Sequence, residues 1–216
     1  MDELVRQGQR TVVIIDDHDI VRYGMQMLIQ DSGDLRVVGA ASSLGEGLQL
    51  IAQHAPDLVV TDMGTGDSQG LETVRQVVAA QAPRATVVVS MQDEMLYGER
   101  VLAIGAMAYV MKETAHAALL PAARAALQGE AWASPRLASR LIRKTLRNSH
   151  GGGQGEQLTE REIEILELLK TGRTTKEIAS HLDLSVRTVD LHRSNIKRKL
   201  GLRTGAELIA YASQRL

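Results

Sequence analysis

Carboxylates set where apolar runs stop are the residues of this chain best suited to chemistry. Asp62 follows Leu58-Val59-Val60-Thr61 and precedes Met63-Gly64-Thr65-Gly66, while Asp16 and Asp17 close the run Thr11-Val12-Val13-Ile14-Ile15. Such a run, ended by a polar break, reads as a short buried strand stopping at a sheet edge. A carboxylate there projects into the crevice where open α/β sheets hold ligands. Three acids at neighbouring strand ends call for a cation, and hard oxygen donors with room for water suit Mg²⁺. The ion would neutralise an incoming phosphoryl group and leave the Asp62 carboxylate as nucleophile. Lys112, just past Ala108-Tyr109-Val110-Met111, brings an ammonium, and Ser90, ending Ala85-Thr86-Val87-Val88-Val89, brings a hydroxyl to the same group. Alone, each residue has a plainer reading: a strand-end Asp is usually a cap or turn residue, and a lone Lys is solvated. Their arrival at the ends of four strands is what lifts the chemical reading.

The elements that must position them alternate. Strands are expected at 11–17, 35–40, 57–62, 85–90 and 108–111, and helices at 19–31, 44–55, 71–83, 94–104 and 119–129. In the first helix Ile20, Tyr23, Gly24, Met27 and Leu28 recur at helical spacing. Near-continuous apolar strands alternating with helices predict a parallel sheet covered on both faces. The flavodoxin-like order 2-1-3-4-5 makes strands 1 and 3 neighbours at the switch point, so Asp16, Asp17 and Asp62 converge. A basic helix follows at 134–147, with Leu137, Leu141 and Ile142 on one stripe, and then a Gly-rich tether over 148–155. From residue 158 the pattern is wholly helical. The expected domains are therefore 10–130, a linker at 131–156, and 157–216.

The 216 residues suffice for two small domains, and 44% hydrophobic with 24% charged residues is ordinary for a soluble globular chain. The absence of cysteine excludes a thiolate metal site and fits a reducing, cytoplasmic compartment. The N-terminal residues Met1-Asp2-Glu3-Leu4 lack the features of a signal peptide, and no apolar run is long enough for a membrane span. The net charge of −1 hides an asymmetry: residues 1–135 carry 9 basic and 17 acidic side chains, residues 136–216 carry 16 and 9. A basic second half points to a polyanionic partner, although part of the excess lies in the linker.

Asp16-Asp17, Asp62, Ser90 and Tyr109-Val110-Met111-Lys112 together resemble the receiver domain of two-component response regulators, over about residues 10–130. The resemblance implies that a sensor histidine kinase phosphorylates Asp62. It implies that Asp16 and Asp17 form the acid pair, with Asp17, Asp62 and the Gly64 carbonyl as direct Mg²⁺ ligands. It makes Ser90 and Tyr109 a coupled switch pair. One departure stands out: where the family has Met-Pro, this chain has Thr65-Gly66, and losing the proline is expected to loosen the loop.

In the second half, Thr159 with Glu162 forms a capping-box signature, and Ser185 opens a basic helix ended by Gly201. Residues 186–203 hold six cations (Arg187, Arg193, Lys197, Arg198, Lys199, Arg203) against one acid, a set suited to tracking phosphates. On a helical wheel Val189, Ile196 and Leu200 face inward, and Arg187, Asp190, Leu191, Ser194 and Arg198 face outward. Leu191 suits a thymine methyl, and Asp190 can accept from a cytosine amino group. Leu158-Thr159-Glu160-Arg161-Glu162, Lys176-Glu177-Ile178-Ala179, Leu184 to Val189 and His192 to Leu200 resemble the LuxR-type (NarL-type) helix-turn-helix domain. That resemblance implies Asp190, Leu191 and Ser194 at base edges, and Thr174, Thr175, Lys176, Arg187, Thr188, His192 and Lys197 at or near phosphates. It also implies a homodimer contact by Leu208, Ile209, Tyr211 and Ala212.

The expected function is a phosphorylation-controlled transcriptional regulator acting on promoter half-sites, not an enzyme. One alternative is a phosphate-independent DNA-binding regulator with a degenerate receiver. A remoter one is a phosphohydrolase resembling the haloacid dehalogenases, with Asp17 as nucleophile and Asp19 as acid/base, but no closing Gly-Asp-x-x-x-Asp motif follows Lys112.

Overall fold

Apolar runs too short for helices, and rich in β-branched residues, build the core of the first unit. In a computed structural model, which describes residues 8–149 and 158–215, they form five strands. These are β1 (Arg10–Ile15), β2 (Leu35–Ala41), β3 (Leu58–Thr61), β4 (Ala85–Ser90) and β5 (Ala108–Met111). All pair in parallel, in the order β2-β1-β3-β4-β5. The chain divides into two compact units, Met1–Leu141 and Ile142–Leu216, each described by itself.

Five helices cover the sheet: α1 (Asp19–Asp31), α2 (Leu44–His54), α3 (Leu71–Gln81), α4 (Glu94–Ile104) and α5 (Ala115–Leu127). Strand alternation sorts the core into two layers. Val12, Ile14, Val60, Val87 and Val89 pack with Met25, Ile29, Leu119, Ala122 and Ala123 from α1 and α5. Val13, Ile15 and Val59 pack with Leu44, Ile51 and Val77 from α2 and α3. The apolar face expected for α1 is corrected here. Met25 and Ile29 are buried, with Val21 beside them, whereas Ile20 and Tyr23 are 88% and 64% exposed and Met27 is partly exposed. The helix carries two apolar stripes, and the sheet takes the one at i, i+4, i+8.

Past β3 the chain makes a small antiparallel ribbon, Gly64–Thr65 against Ser68–Gln69. Past α5, Trp132 bridges alongside Ala108 at the edge of β5, and its N–H donates to the Met107 carbonyl at 2.8 Å. The following helix α6 (Pro135–Ser149) begins against α4. Leu137 is fully buried against Gly98, where an added methyl would lie 2.5 Å from Leu137 Cδ2. Arg140 Nη1 donates to the Met95 carbonyl at 2.6 Å. The expected apolar stripe is thus only partly buried, since Ile142 is exposed. The Gly151-Gly152-Gly153 run expected as a tether lies outside the described residues.

The second unit contains α7 (Glu160–Lys170), α8 (Thr175–His181), α9 (Val186–Leu200) and α10 (Gly205–Arg215). Capping boxes start α7 at Thr159 and α8 at Thr174, and the Ser185 hydroxyl caps α9. Gly201, at φ +70°, closes α9 in the left-handed region that glycine reaches freely. Ile163, Ile165, Leu166, Ile178, Val189, Ile196, Leu208 and Ala212 form its core.

Candidate functional site

Register places the carboxylates. Ile15 pairs with Thr61, so the next residues on β1 and β3, Asp16 and Asp62, emerge side by side at the same sheet edge. Two backbone bonds lock them there: Asp62 N–H to the Ile15 carbonyl at 2.8 Å, and Asp16 N–H to the Ala41 carbonyl at 3.1 Å. Lys112, in the first turn after β5, reaches between them, with Nζ 2.8 Å from Asp16 Oδ2 and 2.6 Å from Asp62 Oδ2. All three side chains are nearly inaccessible, at 4% for the lysine, 0% for Asp16 and 7% for Asp62. Asp62 Oδ1 accepts from the Met63 N–H at 2.6 Å, and Asp16 Oδ1 from the His18 N–H at 2.8 Å. Asp17, a third exposed, contacts His18 Nδ1 at 2.7 Å.

Burial pushes the Asp62 carboxyl above the usual carboxylate range, while Lys112 pulls it back. Burial likewise opposes the charged lysine, but its two carboxylate partners win and hold its pKa above the usual value. The cradle is therefore held by one shared cation.

Asp16, Asp17, His18 and Asp62 present ligand atoms within 4.8 Å of one another. Three carboxylates, one open to solvent, offer the hard oxygens and the room for water that Mg²⁺ requires. The donor set fits that ion better than a soft metal, since His18 Nδ1 is already engaged by Asp17. His18 was not singled out in the sequence, where a histidine beside an acid pair carries no spacing signal.

Ser90 ends β4 and Tyr109 lies within β5, both buried. They share a partner that the sequence did not reveal: Ser90 Oγ accepts from the Gln92 N–H at 3.2 Å, and the Tyr109 hydroxyl donates to the Gln92 carbonyl at 2.8 Å. Burial keeps Tyr109 far from ionising. The tyrosine is thus already turned inward.

The loop after Asp62, where Thr65-Gly66 replaces Met-Pro, is tied by side-chain hydrogen bonds. Asp67 Oδ1 accepts from the Leu44 N–H at 2.7 Å and Oδ2 from the Gly45 N–H at 3.0 Å, while the Thr65 hydroxyl donates to Asp67 Oδ1 at 3.0 Å.

On α9, Arg187, Asp190, Leu191, Ser194 and Arg198 are exposed on one face, with Leu191 61% exposed. Thr188, His192 and Lys197 are half-buried beside them, and Lys176 is exposed at the start of α8. Thr174 and Thr175 are already engaged, Thr174 in the capping box with Glu177 and Thr175 as acceptor for Arg193 Nη1. Two of the six expected phosphate-tracking cations turn inward. Arg193 ties α9 to α8, and Lys199 Nζ sits 2.6 Å from the buried Glu162 Oε2. Of the four residues expected to form a dimer contact, Leu208 and Ala212 are fully buried and have no surface to offer. Ile209 is 46% exposed, and Tyr211 is half-buried. Among the described residues, no helix is long and apolar enough to cross a membrane.

Known proteins match both units. Residues 12–124 match the response regulator receiver domain, and residues 156–212 match the bacterial regulatory proteins of the luxR family. The transcriptional regulatory protein LiaR of Bacillus subtilis (strain 168) is 33% identical over 207 residues, covering 93% of this chain and 95% of its own. The oxygen regulatory protein NreC of Staphylococcus aureus (strain bovine RF122 / ET3-1) matches over the same shares at 33% identity. The structure of RcsB from Salmonella enterica serovar Typhimurium, bound to promoter rprA with the phosphomimetic BeF3-, superposes with a TM-score of 0.66 at 25% identity, covering 95% of this chain and 100% of that one. The chain belongs to the two-component response regulators that carry a receiver domain followed by a LuxR-type DNA-binding domain.

Proposed function

We propose that phosphoryl transfer to Asp62 controls the binding of α9 to promoter DNA. The observation that carries this reading is the convergence of Asp62, Asp16 and Lys112 in one buried cluster at the strand ends. A carboxylate oxygen of Asp62 attacks the phosphorus of a phosphohistidine on a sensor kinase. The P–N bond breaks, its electron pair leaves with the imidazole, and Asp62 becomes an acyl phosphate. Lys112, once its partner carboxylate is esterified, is free to pair with a phosphoryl oxygen. Asp17, Asp62 and the Gly64 carbonyl, beside Asp16, would hold a Mg²⁺ ion, which would supply charge neutralisation at the transferring group. Ser90 donates to the phosphoryl group, and its departure from Gln92 reaches Tyr109 through their shared partner. The protein contributes the nucleophile, and the kinase contributes the donor, so no turnover of a free substrate is assigned to this chain.

On the DNA side, Asp190, Leu191 and Ser194 read base edges. Lys176, Arg187, Thr188, His192 and Lys197 contact phosphates, with Thr174 and Thr175 at the margin. Two chains pair through the Ile209 and Tyr211 side of α10, so that two recognition helices meet successive half-sites. We read 10–130 as the receiver, 131–156 as the linker and 157–216 as the DNA-binding domain, in a cytoplasmic protein. The rival phosphohydrolase reading is disfavoured by Asp19, which is 86% exposed and paired with Arg22 rather than joining the crevice. Intact mass after incubation with Mg²⁺ and a small phosphodonor tests the proposal. One added phosphoryl group, absent in Asp62→Asn, supports it; no adduct in the native chain from donor or kinase overturns it.

A further inference from the structure

We propose that Asp67 is a positioning residue for the cation cradle. By tying the turn of the ribbon after Asp62 to the start of α2, it fixes the Gly64 backbone against the Asp16–Asp17 pair. The inference rests on the ligand set proposed above, in which Gly64 lends its carbonyl.

The first turn of α2 has three N–H groups without helical partners. Ser43 Oγ takes that of Glu46 at 3.3 Å, and Asp67 takes those of Leu44 and Gly45 at 2.7 and 3.0 Å. The helix therefore has a cap of its own, and Asp67 adds a tie across 22 and 23 residues of sequence. The anchor is rigid where it matters. Gly47 sits so close on the Ile15 side chain that no Cβ would fit without a shift, and Ile15 is the residue before Asp16. Anything bonded to the start of α2 is thus fixed relative to the acid pair.

The other end of the tie is equally determined. Asp67 lies in the turn between Thr65 and Ser68, which pair across the ribbon, and Gly64 pairs with Gln69 in the next rung. Thr65, 1% exposed, donates to Asp67 Oδ1 at 3.0 Å and to the Ser68 carbonyl at 3.2 Å. Thr73 Oγ1 bonds Ser68 Oγ at 2.8 Å, which fastens the returning strand to α3. Gly66 and Gly70 leave the two ends of this stretch without side chains, so without these bonds the loop would sample widely. The backbone hydrogen bonds at Asp67 hold its carboxyl below the usual range, so the clamp is charged at neutral pH.

The test uses full-length protein. Mg²⁺ affinity is measured by titration calorimetry for the native chain, Asp67→Ala, Asp67→Asn and the double variant Asp67→Ala/Gly66→Pro. Phosphorylation by a small phosphodonor is followed by intact mass. Outer partners of a metal site typically change affinity about 10- to 100-fold. We expect Asp67→Ala to weaken Mg²⁺ binding about 10-fold, and Asp67→Asn to fall between it and the native chain. Gly66→Pro, which stiffens the same loop without capping α2, should recover most of the loss. Equal Mg²⁺ affinity in the native chain and in folded Asp67→Ala overturns the proposal. So does a loss that Gly66→Pro leaves untouched, because Asp67 would then act on α2 alone. Asp67-dependent Mg²⁺ binding in a chain that takes no phosphoryl group would sink the Asp62 reading and leave this one standing.

Discussion

At the scale of single residues, the crevice works by sharing one ammonium between two buried carboxylates. Replacing Lys112 with Met leaves Asp16 and Asp62 facing each other without compensation. Uncompensated buried charge costs about 3–5 kcal/mol. We expect a fall of that order in urea-unfolding free energy at pH 7, shrinking as pH falls because Asp62, whose carboxyl is already raised, takes up a proton early. In a different carboxylate the shift runs downwards. The hydrogen bond from Arg124, 2.8 Å away, holds Asp34 down at about 2. A folded-state value below the unfolded one adds stability above roughly pH 4, and that gain drains away as pH falls towards 2. Both side chains are 47% exposed, so solvent screening leaves the pair only a small net contribution. Asp34→Asn should therefore lower the urea midpoint slightly at pH 7, by about half as much at pH 3, and hardly at all well below pH 2. The meeting of Asp16, Asp62 and Lys112 was legible in the sequence because parallel register leaves strand-end residues nowhere else to go. Asp67 and Gln92 were not legible, since each acts on backbone atoms whose neighbourhood only the folded chain creates.

At the scale of elements, α9 serves two purposes with neighbouring cations. Arg187 faces solvent, whereas Lys199 reaches inward to Glu162 and to the capping box that starts α7. Arg187→Ala is expected to leave thermal stability unchanged and to lower the salt dependence of DNA binding by about one released counterion, read from log K against log salt. Lys199→Met should do the reverse. It strands a carboxylate that is 3% exposed, costs about 3 kcal/mol in urea unfolding, and changes the salt slope little. The sequence marked both as phosphate-tracking cations because charge counts do not reveal which side of a helix has an acid behind it. The alternating elements of the first unit were readable from periodicity and the proline and glycine stops. The phase of α1 was not, because Ile20, Tyr23 and Met27 form a stripe as apolar as the one the sheet buries.

At the scale of the whole molecule, the segment that follows the receiver packs on α4, next to the candidate switch residues. Ser90, Gln92 and Tyr109 adjoin the start of α4, and α4 in turn carries the notch at Gly98 that receives Leu137 and the Met95 carbonyl that receives Arg140. Gly98→Val should expel Leu137, because overfilling a packed contact costs about 1–3 kcal/mol. We expect such a variant to bind DNA similarly with and without phosphodonor, measured by fluorescence anisotropy; preserved stimulation would mean that the start of α6 plays no part in coupling. Trp132 gives this route an unplanned instrument. It is the sole tryptophan of the chain, half-buried at the rim of β5, just ahead of the helix that docks on α4. An indole there emits towards the blue while sheltered and towards the red once wetted. The colour of the protein's own ultraviolet glow should therefore test, without any label, whether phosphodonor changes the packing of Trp132 against β5: a red shift is the expected outcome, and an unchanged spectrum would mean that this contact stays closed.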